Sequence, residues 1–309
     1  MKQPSGQGAK KAPSQLTGVD VDILQLVHEY HFLTAEQIVT LRYSKNSLPT
    51  AQIRLKSLYE NNYLERRHLP HTGTGNTEYL YHLSTKGQRY LESAGITGFS
   101  RVRKSEIENM EFPHLKHVLS LNDFLIAARL LPRSVPSIFL VEMRHDLDLK
   151  KTPERVTVER RMPYGDRIDE KVTVIPDGWL DFRMAVADRP KPRRRCIVVE
   201  LDRGTTSVAP FKQKLRALYF YAISEDYQEL FGTDLCMVAY ATTAGKARMA
   251  QMIEWCEQEL EQQRLEHEAN LYRFTALPDE LDPKELFCEE VWYKPFENEP
   301  VSLLWNHSS

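Results

Sequence analysis

The run Cys196-Ile197-Val198-Val199-Glu200-Leu201-Asp202 constrains this chain most. A short apolar stretch that ends in carboxylates and then meets Arg203-Gly204-Thr205 reads as a buried central strand. Its sheet must be covered on both faces, which calls for an α/β unit. Helical sequence over roughly 209–222 follows, with Phe211, Leu215, Leu218 and Tyr219 on its inner face. Leu235–Tyr240 reads as another buried strand, and Thr243-Ala244-Gly245 opens a long helix striped by Met249, Met252, Ile253, Cys256 and Leu260. Upstream, a helix is expected over about 114–131, then strands at 139–142, 155–158, 171–175 and 179–185. His114 and His117 on that helix read as surface or domain-contact residues.

Strand periodicity gives the chemistry. Asp177, in Pro176-Asp177-Gly178, lies 23 residues before Glu200 and opens the preceding strand. Side chains two apart on a strand share a face, so Glu200 and Asp202 point the same way. Three carboxylates are therefore expected at one sheet edge. Their hard oxygens suit Mg²⁺, which would activate water for phosphodiester hydrolysis. In a restriction-endonuclease-like core a lysine follows the glutamate by two residues; here Asp202 stands in that position and adds negative charge where the transition state already gains it. The lysine can come from the next helix, where Lys212 and Lys214 are available and topology favours Lys214. The pattern also admits a silent core, with Asp177 capping its turn and Asp202 pairing with Arg203 or Arg216 or holding the following turn. The silent core ranks first.

The first hundred residues read differently. Thr34-Ala35-Glu36-Gln37 is a capping box, Val19, Ile23, Leu24 and Val27 recur at helical spacing, and Ala51, Ile53, Leu55 and Leu58 supply a third helix. Two strand-like segments, 61–67 and 79–83, flank a tip bearing Pro70, Gly73 and Gly75. Three helices and a β-ribbon make a winged helix-turn-helix. Gln52, Arg54, Lys56 and Ser57 on its third helix, with Arg66, Arg67 and His71 on its wing, are the candidate DNA contacts. The expected organisation is a disordered tail over 1–16, a winged helix over 17–95, a connector over 96–113, a nuclease-like mixed-sheet domain over 114–270 and an acidic extension over 271–309.

Charge supports this division. Residues 1–100 hold 11 Lys/Arg against 8 Asp/Glu, whereas 251–309 hold 4 against 14. A polyanion would meet the first part of the chain, not its end. Four scattered cysteines, without a C-x-x-C pair, argue against zinc and for a reducing compartment. No signal peptide or long apolar span is seen, so a cytoplasmic, nucleoid- or plasmid-associated protein without membrane contact is expected.

Taken together, Phe32-Leu33-Thr34-Ala35-Glu36-Gln37-Ile38, Arg54-Leu55-Lys56-Ser57-Leu58, Tyr81-His82-Leu83-Ser84-Thr85-Lys86-Gly87, Pro176-Asp177-Gly178 and Glu200-Leu201-Asp202-Arg203-Gly204-Thr205 with Lys214 resemble the replication-relaxation family of bacterial, plasmid and mobile-element proteins. The resemblance implies DNA binding connected with replication, relaxation or mobilisation, and transfers no catalytic residue set. The expected function is a sequence-specific regulator or replication accessory on a mobile element, bound to double-stranded DNA as a homodimer, with replication or mobilisation proteins as partners. A Mg²⁺-dependent endonuclease using Asp177, Glu200, Asp202 and Lys214, and a protein-interaction scaffold, are the alternatives.

Overall fold

The computed structural model describes residues 16–44, 46–69, 78–96, 107, 109–151, 153–162, 164–186 and 190–305. Residues 1–15 of the expected tail over 1–16, the wing tip with His71 and the basic residues Arg101, Arg103 and Lys104 lie outside the described residues. The chain divides into two compact units, 1–101 and 102–309.

In the first unit, α1 (Gly18–Tyr30), α2 (Ala35–Arg42) and α3 (Leu48–Glu60) precede the antiparallel pair β2 (Leu64–Leu69) and β3 (Glu78–Leu83), and α4 (Thr85–Ser93) follows. The short β1 (Leu33–Thr34) pairs with β3, giving a three-stranded sheet in the order β1-β3-β2. Local sequence sets the helix starts. Thr34 Oγ1 accepts from Gln37 N and Gln37 Oε1 accepts from Thr34 N, so the capping box closes at both ends. Thr17 and Asp20 do the same for α1. Thr34→Ala should therefore cost about 1 kcal/mol of the stability of this unit, read from the urea midpoint. Gly87 is required by packing: a Cβ there would come within 2.1 Å of the Tyr63 carbonyl oxygen.

The third helix corrects one expectation. Ala51, Leu55 and Leu58 are buried, but Ile53 is 71% exposed. Two residues from Ala51 on a helix is about half a turn, so Ile53 faces outward beside Gln52, Lys56 and Ser57, all exposed.

The second unit opens with α5 (Phe112–Ser134), β4 (Ile138–His145) and the single turn α6 (Asp146–Leu149). It continues with the hairpin β5 (Glu154–Arg161) and β6 (Arg167–Val174), then β7 (Gly178–Met184) and β8 (Arg193–Asp202). Helices α7 (Val208–Ala222) and α8 (Glu225–Phe231), strand β9 (Val238–Thr242) and helix α9 (Gly245–Gln263) come next. Strand β10 (Tyr272–Ala276) and helix α10 (Pro283–Cys288) complete it. Five strands form one mixed sheet, β10-β9-β8-β7-β4, in which β8 runs parallel to β9 and antiparallel to β7. The β5–β6 hairpin is a separate two-stranded ribbon, not part of the expected single sheet. Its Val156, Val158 and Val174 bury into the same core as α7 and α9.

Composition misleads at the C-terminus. Although 271–309 is acidic, it is no appended extension: β10 forms an edge of the sheet, and Phe287, Trp292, Leu303 and Leu304 are fully buried. The acidic side chains of this segment are exposed. Cys196 and Cys256 are buried free thiols, and burial pushes the Cys196 thiol up to about 11, which leaves it unreactive. Among the described residues, no helix is long and apolar enough to cross a membrane.

Candidate active site and nucleic-acid interface

The central strand β8 carries the site. Its alternation puts Cys196, Val198, Glu200 and Asp202 on one face, and Cys196 and Val198 join the core formed with α7 and α9. Beside it, the ladder joins Gly178 of β7 to Val199. One residue earlier, Asp177 Oδ2 accepts from the Leu201 N–H at 2.8 Å, which stitches Asp177 to the end of β8. Two helices complete the ring. From α7, Lys214 Nζ contacts Glu200 Oε2 and stands 3.8 Å from Asp177 Oδ1. From α5, His117 Nε2 approaches the same Asp177 oxygen at 3.4 Å. These groups line a cavity of about 300 Å³ with Arg203, Thr205, Thr206 and Tyr240.

Electrostatics sets the three groups apart. Burial disfavours the charge on Asp177, but Lys214, His117 and the Leu201 N–H outweigh it and hold the carboxyl below its usual range. For Glu200 burial wins: the carboxyl is pushed up to about 8, with the Asp177 charge adding to the rise and Lys214 opposing it. Burial opposes the Lys214 charge too, yet Asp177 and Glu200 keep its ammonium above the ordinary value. With 40% of its side chain exposed, Lys214 remains reachable from solvent. The cavity thus holds a fixed anion, a fixed cation and a carboxyl whose charge burial disfavours.

Other sequence candidates go elsewhere. Lys212 donates to Gln258 on α9 at 3.1 Å, so only Lys214 of the two enters the site. Asp202 lines the cavity, but both its oxygens are already engaged. Arg248 from α9 grips it bidentately at 2.9 and 3.0 Å, and the Gly204 N–H and Thr242 Oγ1 donate at 2.8 and 2.9 Å. The expected third metal ligand is thus the anchor of an arginine clamp. Its partner is neither Arg203, which donates to the Pro113 carbonyl, nor Arg216, which pairs with Glu259. Arg193, Arg194 and Arg195 lie within β8, and Arg194 is tied to Asp181 and to the carbonyls of Phe231 and Gly232.

Asp177 and Glu200 offer hard carboxylate oxygens, and Glu200 Oε1 is buried without a hydrogen-bond partner. Among the described residues no group of three or more His, Cys, Asp or Glu is arranged to hold a metal. Mg²⁺ ordinarily takes one or two carboxylates and fills its remaining positions with water and phosphate oxygens, so the pair fits that ion.

In the first unit, the exposed candidates are Gln52, Lys56 and Ser57, and Lys56 Nζ lies 3.8 Å from Glu60. Arg54 turns inward instead, donating to Asp20 and to Thr17 at 3.1 Å. The Arg66 guanidinium sits 4.2 and 4.1 Å from the ring centres of Tyr59 and Tyr79, and Arg67 is half-buried. Sequence reasoning reads His117 as a surface or domain-contact residue, whereas it borders the cavity, and it misses Arg248 and Tyr240. His117 sits beside the buried Leu115 and Val118, the one local signal that it borders the interior.

These features define a class: a helical unit with a small antiparallel sheet, followed by a mixed-sheet unit with a buried carboxylate–lysine cavity at the end of its central strand. A family model described as replication-relaxation matches residues 24–236, and the chain belongs to that family. Membership connects it with replication- and relaxation-associated processes. No curated protein and no solved structure matches it.

Proposed function

We propose that this protein binds double-stranded DNA through a winged helix in its first unit and hydrolyses phosphodiester bonds in a restriction-endonuclease-like second unit. One observation carries the reading: Lys214, from the helix after β8, contacts Glu200 and lies 3.8 Å from Asp177. A lysine supplied by α7 occupies the electrostatic role that Asp202 cannot fill. Asp177 and Glu200 would hold a Mg²⁺ ion, which supplies Lewis acidity to the phosphoryl oxygen and a more acidic water.

The chain's own groups do the rest. The Lys214 ammonium faces the negative charge that develops on the phosphoryl oxygens, which a preorganised cation stabilises. Asp177 is held in place by the Leu201 N–H and His117, so it needs no reorganisation when substrate enters. Thr205 and Thr206, exposed at the cavity rim, can donate to a backbone phosphate. On the first unit Gln52, Lys56 and Ser57 form the groove-facing set, and a homodimer would read paired half-sites.

A second reading, a replication or transcription regulator with a silent core, is favoured by the contact that already neutralises Glu200 against Lys214. Titrating the protein against labelled duplex from upstream of its own gene separates the two, in Mg²⁺ and again in EDTA, with products resolved on a denaturing gel. Cut strands in Mg²⁺ and none in EDTA are expected. Saturable binding that leaves the DNA intact in Mg²⁺ would sink the hydrolase and leave the regulator.

A further inference from the structure

Two residues that line the cavity each carry a polar atom without a hydrogen-bond partner among the described residues. Glu200 Oε1 and Tyr240 Oη are buried and make no hydrogen bond among the described residues. Glu200 and Tyr240 are each only 3% exposed. They are register partners on the adjacent parallel strands β8 and β9, so their side chains rise from the same face, and both line the cavity. A buried orphan acceptor costs the protein its full desolvation penalty, and so does an orphan hydroxyl.

Tyr240 cannot escape by turning away. Its ring packs against Phe211 at 5.2 Å and stacks on Phe274 at 5.2 Å with planes 6° apart. Burial and the nearby Glu200 keep the phenol protonated, which makes it a donor. A phenol donor and a carboxyl oxygen that find no partner among the described residues call for one water between them. The water accepts from Tyr240 and donates to Glu200. The cavity that both residues line measures about 300 Å³, against about 30 Å³ for one water.

We propose that Tyr240 and Glu200 together hold a single ordered water, and that Tyr240 is the residue that positions it for hydrolysis. The chemistry rests on the hydrolase reading; the water site itself does not. In the reaction this water's oxygen forms the new bond to phosphorus. The bond from phosphorus to the departing ester oxygen breaks, its electron pair staying on that oxygen. One water proton is released to solvent, and the departing oxygen takes one from solvent, so a diester and water give a monoester and an alcohol.

Tyr240→Phe removes one oxygen and keeps the ring in its stack, which preserves the fold. Thermal unfolding would be measured in EDTA without DNA for Tyr240→Phe, Glu200→Gln and the double variant. Cleavage of the upstream duplex would be followed in Mg²⁺. Loss of a shared water predicts an unfolding temperature lower by about 2–4 °C for Tyr240→Phe. It also predicts a double variant less destabilised than the sum of the two single variants. An unchanged or higher temperature for Tyr240→Phe, or strictly additive losses, overturns the water site. In cleavage, kcat should fall about 10–100-fold with KM unchanged, and an unaltered kcat overturns the positioning role. A wild-type protein that cuts nothing rejects the hydrolase reading and the hydrolytic role; the unfolding temperatures then decide the water site alone.

Discussion

On the hydrolase reading, Lys214→Met is expected to lower the rate of DNA cleavage about 10²–10³-fold with little change in DNA binding. The substitution keeps the length and apolar stem of the side chain and removes only its charge. That charge is the sole lysine contact of Glu200 and Asp177 among the described residues. DNA affinity should persist because the groove-facing candidates Gln52, Lys56 and Ser57 belong to the first unit. The same variant should also change the pH dependence of stability. The Glu200 carboxyl already lies above its ordinary 4.5, raised by burial. A raised carboxyl contributes stability fully present below its unfolded value and lost as pH rises through about 8. Without Lys214 the carboxyl rises further, so the alkaline loss grows. Urea midpoints at pH 5 and pH 9 would show a larger gap for Lys214→Met than for wild type. Cleavage within twofold of wild type, where wild type cuts, would remove Lys214 from the chemistry.

Short-range patterning made much of this architecture legible. The capping box at Thr34–Gln37, the apolar run into Glu200 and the stripe of α9 each depend on residues a few positions apart, and each maps onto an element near its expected bounds. Topology favours Lys214 over Lys212, and the structure brings Lys214 to Glu200 while Lys212 donates to Gln258. What was not legible depends on distance. Arg248 is 46 residues from Asp202, and His117 is 60 residues before Asp177. No local pattern says which carboxylate an arginine on a later helix will choose. Ile53 misled because apolar character suggests burial, although its helical angle from Ala51 and Leu55 puts it outside. The acidic C-terminal segment misled in the opposite way: average charge concealed Phe287, Trp292 and Leu304, whose burial fixes its course.

Asp202→Ala should destabilise the second unit by about 3–5 kcal/mol, the usual cost of removing one partner from a buried ion pair. Only 6% of the Asp202 side chain and 10% of Arg248 are exposed, and the guanidinium would be left without its carboxylate. Arg248 also donates to the Thr206 carbonyl and lies 4.7 Å from the centre of the Trp255 ring, so its displacement would loosen the loop that rims the cavity. This expectation separates two roles that the sequence could not. A metal ligand, once removed, leaves stability near wild type and abolishes cleavage. A clamp, once broken, costs stability first, and Arg248→Ala should cost as much as Asp202→Ala. The acid limb provides an independent check. Burial works against the Asp202 charge, but Arg248, the Gly204 N–H and Thr242 hold the carboxyl below its ordinary 3.8. Its contribution is therefore complete above that value and disappears as pH falls below it. Urea denaturation across pH 2 to pH 6 should give a flatter acid limb for Asp202→Ala than for wild type. Parallel limbs would mean that the carboxylate contributes nothing through its charge, and the clamp would have to be abandoned.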